Sequence, residues 1–400
     1  MSNSTYLFFD SASTTRCCEE AAALVQQFAV EDYGNPSSSH VFGQRAARAI
    51  LKSRQFFAAH FNVEPNQIIF TGSGTESDNL AIYGVATHCL QKRGHPIRII
   101  ASKTEHPAVR KTVESLVPFG VEVKLAEVDS TGQIDREKFR ELLTPETALV
   151  SIHRVNNIVG TILPVEELAR EVKEKCPQAL FHTDAVQAFG RVSLPRSHSA
   201  VDLVSISAHK IQGPKGIGAL IVLNKALLKS GMRPLIWGGD QEGGLRSGTQ
   251  SAGLITGFHA AAEKTLSQMK TAVDHTTSLR QHFRELLAER KLLDRVHWNS
   301  PEDAVPHIVN LSVPQFPSGP LAKLLEERLC LVSTGSACSS LKQEPDAVLK
   351  AMGLSLPFAN STLRVSFSAS NTLEEVDTLA HALEESLARM SELLGLRTSQ

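Results

Sequence analysis

The sequence predicts an α/β fold, a mostly parallel seven-stranded sheet covered by helices and followed by a smaller α+β domain. Two observations carry this. Seven short apolar runs alternate with helical-period stretches over the first two-thirds of the 400 residues, the pattern of parallel strands joined by helical crossovers. Several of those runs are continuously apolar, as strands buried on both faces are. A chain of this length is expected to form two domains. The expected division is 15–255 for the large α/β domain, with 1–14 and 256–400 making the small one.

The strands expected in order are QIIFT (67–71), IRIIAS (97–102), VEVKLAEV (121–128), TALVSI (147–152), ALFHT (179–183), DLVSIS (202–207) and GALIVL (218–223). GQRAARAILKSRQFFAAHF (43–61) and PVEELAREVKEKC (164–176) read as helices. The second opens on a proline suited to the first helical position, with glutamates in its first turn. GGDQEGGLRSGT (238–249) breaks the pattern as a Gly-rich loop, and one long helical stretch follows over about 251–291. The last third adds strands at HIVNLSV and TLRVSF, a helix at LAKLLEERL and an amphipathic helix over 373–393.

Composition excludes several classes. Hydrophobic residues make up 42% and charged residues 21%, and the formal net charge is −1. No global field favours nucleic acid or an anionic membrane. No apolar run reaches the roughly 18–20 residues of a membrane span, and MSNSTYLFFDSASTT has no signal-peptide pattern. Cysteines fall at positions 17, 18, 89, 176, 330 and 338, without CxxC or metal-ligand spacing. A reducing cytoplasm, free thiols and no metal are expected. Cys338, in STGSACSS, stands open locally between filler, disulfide partner, metal ligand and nucleophile.

Four stretches place chemistry at strand ends, where open α/β sheets bind ligands. FTGSGTESDNL (70–80) is a small-residue turn into a helix that can cup a phosphate through Gly74 and Thr75, or serve only as a tight connection. Asp184, after an apolar strand, suits a protonated heterocycle nitrogen or a helix cap. Ser207, His209 and Lys210 follow DLVSIS, and a half-buried lysine there can form a Schiff base. His106, in KTEHPAV, can stack on a flat ring or move protons. Phosphate cup, aspartate and lysine together are the parts that hold pyridoxal phosphate. Arg364, inside the apolar STLRVSFS, suits a carboxylate clamp or a solvated edge.

With these residues in place, the chain resembles the cysteine desulfurases of the class V aminotransferase group, which have the fold-type I pyridoxal-phosphate architecture. YGNPSSSHVFG, GSGTESDN, EHPAV, VNNIVG, HTDAVQ, SAHKIQGPKGIGAL, RSGT, GSACSS and LRVSFS occur in family order over nearly the whole length. The resemblance implies that Lys210 carries pyridoxal 5'-phosphate, Asp184 meets its ring nitrogen, and Gln187 lies beside its phenolic oxygen. His106 stacks on the ring. Gly74, Thr75, Ser207 and His209 bind the phosphate, as does Thr249 from the other subunit of a homodimer. Asn157 and Arg364 serve the substrate carboxylate, and Cys338 is the nucleophile.

The implied reaction converts L-cysteine to L-alanine, with sulfur passed as a Cys338 persulfide to an acceptor protein for iron–sulfur assembly or tRNA thiolation. The spacing of Cys338 and Arg364 is similar to the long-loop group of iron–sulfur and nitrogen-fixation enzymes, whose cysteine loop is mobile. Ile158, where that group has glutamate, Asp240, where a third glycine is common, and Arg154 depart from its pattern. A selenocysteine lyase, a class V transaminase and a non-catalytic sulfur-relay scaffold are the alternatives.

Overall fold

The apolar runs become buried strands in the computed structural model, which describes residues 6–93, 96–334 and 346–395. In chain order the strands are β1 (Leu7–Phe8), β2 (Ile68–Thr71), β3 (Ile97–Ser102), β4 (Val121–Ala126), β5 (Thr147–Ser151), β6 (Leu180–Asp184), β7 (Leu203–Ser207), β8 (Gly218–Val222), β9 (His297–Trp298), β10 (Ile308–Ser312), β11 (Cys330–Leu331), β12 (Ser333–Thr334) and β13 (Thr362–Ser366). The seven expected runs form one sheet in the order β2-β8-β7-β6-β5-β3-β4. All its pairs are parallel except those of β8, which lies antiparallel to both β2 and β7. Two reversals cancel, so β2 runs the same way as β7. The carboxyl ends of β2, β3, β5, β6 and β7 therefore open on one edge.

Two apolar layers sandwich this sheet. Phe57, Phe61, Phe189 and Phe258 anchor one, and Ile82, Val85, Val109 and Leu149 lie in the other. A four-stranded antiparallel sheet, β12-β13-β10-β9, has its own core, where Phe283, Phe316 and Phe367 meet Leu379 and Leu383. Phe9, from the chain's start, is buried in that same core. β1 pairs in parallel with β11, and Ser11 N–H donates to the Ser366 carbonyl at 3.2 Å.

Helix boundaries follow local chemistry. The last helix spans Leu373–Leu393 and opens on a capping box, with Thr372 Oγ1 accepting from Glu375 N–H and Glu375 reaching back to Thr372 N–H. Pro164 is the cap of helix Val165–Lys175 rather than its first residue. The long stretch after the Gly-rich loop is two helices, Ala252–Ser267 and Met269–Glu289, broken at Gln268. Among the described residues, no helix is long and apolar enough to cross a membrane.

The Gly-rich loop is pinned by one buried side chain. Glu242 holds a left-handed φ of 51°. Its carboxylate accepts from Phe70 N–H at 2.9 Å, from Arg54 Nη2 at 2.6 Å and Nη1 at 2.7 Å, and from Gln250. A buried carboxylate is tolerable because these donors replace its lost water. Asp240 stands at φ 59°, which accounts for a glycine preference there; aspartate is among the few other residues that accept it. Arg54→Ala leaves the Glu242 charge without its bidentate partner and should cost about 3 kcal/mol. Urea unfolding measures this, and an unchanged midpoint contradicts it.

Candidate active site

The strand ends enclose a cavity of about 580 Å³. Gly74, Thr75, His106, Asn157, Asp184, Gln187, Ser207, His209, Lys210 and Arg364 all line it. All but Arg364 owe their place to a strand end of the large sheet: the helix Gly74–Arg93 starts after β2, His106 follows β3, Asn157 follows β5, and Asp184 ends β6. Lys210 sits in the turn after β7, and Arg364 in the middle of β13.

Lys210 is held by the start of the chain. Its Nζ donates to the Ala12 carbonyl at 2.6 Å and the Ser13 carbonyl at 2.7 Å. Burial, with the charge of Arg364 beside it, lowers its pKa to about 8, against the opposing charges of Asp10 and Asp184. Neutral amine, the nucleophilic form, is thus available near neutral pH. Gln187 Nε2 donates to the same Ala12 carbonyl at 2.8 Å. Arg364 is clamped from the same segment: its Nη2 donates to Asp10 Oδ1 at 2.8 Å and Ser13 Oγ at 2.6 Å, and its Nη1 to the Asn157 carbonyl at 2.9 Å. Arg364 is thus a buried, oriented cation rather than a solvated edge.

Asp184 is buried, and burial raises its pKa; His106 and the Val186 N–H, which donates to Oδ1 at 2.9 Å, work the other way. Asp78, in the helix after β2, is buried beside it, and its carboxyl is pushed well up by burial and by Asp184. The two carboxyls thus resist carrying two negative charges at once. His106 caps the helix Pro107–Ser115, with Nδ1 accepting from Ala108 N–H at 3.1 Å. Burial lowers its pKa, Lys210 also lowers it, and Asp184 and Glu105 oppose. It is neutral, with its proton on Nε2.

This wall fits a phosphorylated pyridine aldehyde. A Cβ on Gly74 would sit 2.7 Å from Val186 Cγ2 and 3.3 Å from Ser207 Cβ, so a bare backbone is needed at that helix start. Ser207 Oγ is buried without a hydrogen-bond partner, as an unmet phosphate ligand would be. Burial lowers the pKa of His209 to about 4, leaving a neutral ring at neutral pH.

Two expected residues are not among these. Thr249 does not reach this cavity; it lines a separate groove with Tyr33, Gly34 and Leu254. Cys338 lies outside the described residues. Ile158 lines the pocket and packs with Val348, Leu349 and Met352. Arg154 donates to the Leu163 carbonyl and is not a pocket residue; its neighbour His153 is. Sequence reasoning missed Asp10 and Ser13, which DSASTT contains but whose partner lies 354 positions away. It also missed Asp78, Glu105 and His153, whose only signal is a polar residue in or beside a motif.

A family model for the class-V aminotransferases matches residues 7–379. A cysteine desulfurase of Nostoc sp. is 35% identical over 394 residues, 98% of this chain and 96% of the relative. The cysteine desulfurase IscS of Dictyoglomus turgidum is 36% identical, over 96% of this chain and 95% of its own. A solved NifS-like protein superposes with a TM-score of 0.88 at 35% identity, over 96% of this chain and all of its own. SspA, solved in complex with cysteine, matches at 0.78 and 31% identity, over 91% of this chain and 99% of its own.

Lys210 should show its lowered pKa chemically. In cofactor-free protein, reductive methylation of Lys210 should rise with pH through a midpoint near 8, read by peptide mass spectrometry. A midpoint above about 10, that of an ordinary lysine, contradicts the assigned environment.

Proposed function

We propose that this chain, which belongs to the class-V aminotransferase family and to its cysteine desulfurase group, converts L-cysteine to L-alanine and holds the sulfur as a persulfide on Cys338. The observation that carries this reading is the single pocket that gathers Lys210, Asp184, His106 and Arg364. Pyridoxal 5'-phosphate is the cofactor. Lys210 would hold its aldehyde carbon, Asp184 its ring nitrogen and Gln187 its phenolic oxygen. Gly74, Thr75, Ser207 and His209 would hold its phosphate. When bound, the cofactor supplies a sink for the electron pair left at the substrate Cα.

The remaining work belongs to side chains of this chain. Arg364 takes the substrate carboxylate, with Asn157 at its side, and a charge-assisted pair in a buried site fixes the amino acid's orientation. Lys210, in its neutral form, removes and returns the proton at Cα. His106, neutral with Nε2 protonated, gives a proton to the departing carbon. The Cys338 thiolate attacks the substrate sulfur. A new S–S bond forms, the C–S bond breaks, and the carbon keeps the electron pair and takes a proton as L-alanine leaves.

Thr249 would serve the phosphate of a second copy, making the active form a homodimer. Tyr33 and Trp237, exposed by 68% and 73%, are the large apolar side chains a dimer would cover. A cytoplasmic acceptor protein, an iron–sulfur scaffold or a tRNA-thiolation relay, would take the sulfur onward.

Cys338→Ala should keep the cofactor's colour and still bind L-cysteine, while alanine release falls to background; wild-type alanine release would overturn the nucleophile assignment. Arg364→Lys should raise KM for L-cysteine about ten- to hundredfold through loss of a bidentate charged contact. Steady-state kinetics checks this, and an unchanged KM would remove Arg364 from the substrate.

A further inference from the structure

We infer that His153 is a positioning residue for Asp184, held by Glu105 so that its imidazole supports the carboxylate facing the cofactor's ring nitrogen. The inference rests on the cofactor reading above. His153 follows β5, and Arg154 N–H donates to the Asp184 carbonyl at 2.8 Å, so the two strand ends lie side by side. Beyond the strand end, His153 lies on the pocket wall with Asp184 and Glu105, while Arg154 does not and donates to the Leu163 carbonyl. His153 is 3% exposed and Glu105 4%.

Glu105 fixes this histidine twice. Its Oε1 accepts from the His153 backbone N–H at 3.0 Å and lies 3.1 Å from Nδ1. Nδ1–H is thereby turned to the carboxylate, which sets the tautomer and leaves Nε2 for another partner. Nε2 is buried with no hydrogen-bond partner, and so is Glu105 Oε2. Polar atoms left open in a buried pocket wall mark a contact that the ligand-bound state completes.

The surrounding charges explain why such a group is needed. Asp78 from the helix after β2, Glu105 from the turn after β3 and Asp184 at the end of β6 put three carboxyls together. His182 on β6 stands 3.6 Å from Asp78 Oδ1 but is held between Ser151 Oγ and Ser205 Oγ, both at 2.9 Å, and burial lowers its pKa to about 3 and keeps it neutral. His106 is neutral, and Lys210 is committed to the substrate. His153 is tied to Glu105 through Nδ1 at 3.1 Å, and it lowers the Asp184 pKa where Glu105 raises it. An ionised Asp184 is the form that keeps a ring nitrogen protonated.

The test is a pH titration of the bound cofactor's visible band in holoenzyme without substrate. His153→Gln removes the imidazole that stands with Asp184 on the pocket wall and should move the midpoint by about half a unit or more, while kcat falls and KM for L-cysteine stays within about twofold. His153→Met, a second replacement of like size, should move it the same way. In a Glu105→Gln background, where nothing orients the imidazole, His153→Gln should add less than half of that shift. Midpoints equal to wild type in folded His153 variants would overturn the inference while leaving the cofactor reading intact. A wild-type protein that binds no cofactor, and so has no visible band, would overturn both.

Discussion

The pocket depends on one short piece of backbone, Asp10–Ser13, wedged between the two sheets. Its carbonyls at Ala12 and Ser13 take the Lys210 ammonium, and its side chains at Asp10 and Ser13 take the Arg364 guanidinium. Lys210 belongs to the large sheet's edge and Arg364 to the small antiparallel sheet. The segment is held there by β1 pairing with β11 and by Phe9 buried in the small sheet's core. The placing of Lys210 relative to Arg364 is thus set by residues at the start of the chain. Few side chains link the two sheets so directly, and Gln187 joins them through the same Ala12 carbonyl.

Electrostatics in this pocket is a contest between burial and placed charges. Burial alone pushes Lys210 toward the neutral amine and Asp184 toward the neutral acid. The first suits a nucleophile and the second does not suit a partner for a protonated ring. Burial and Asp184 push the Asp78 carboxyl well up, and His106 and His153 draw the Asp184 carboxyl down against burial and Glu105. The arrangement is costly for folding. The seven-stranded sheet, buried on both faces, supplies the stability that tolerates it.

The fold was legible because its strands are apolar runs and its last helix is amphipathic, and the structure starts that helix at the expected Leu373. The break at Gln268 was not legible, since neither glycine nor proline interrupts the helical period there. Lys210, Asp184 and His106 stood out as polar groups at the ends of apolar strands. Asp10, Ser13, Glu105 and His153 did not, because their roles arise from contacts across 48 to 354 positions. Arg154 drew notice as an unusual charge, yet it donates to the Leu163 carbonyl and it is the neighbouring His153 that lines the wall.

The central claim is that this pocket delivers a sulfur atom to Cys338. Incubating the holoenzyme with L-cysteine in the absence of reductant, then digesting it and weighing the peptide that carries Cys338, tests it most directly. The account predicts that this peptide gains the mass of one sulfur atom, with one alanine released per modified chain in the first turnover. Alanine release with no sulfur on that peptide would contradict it.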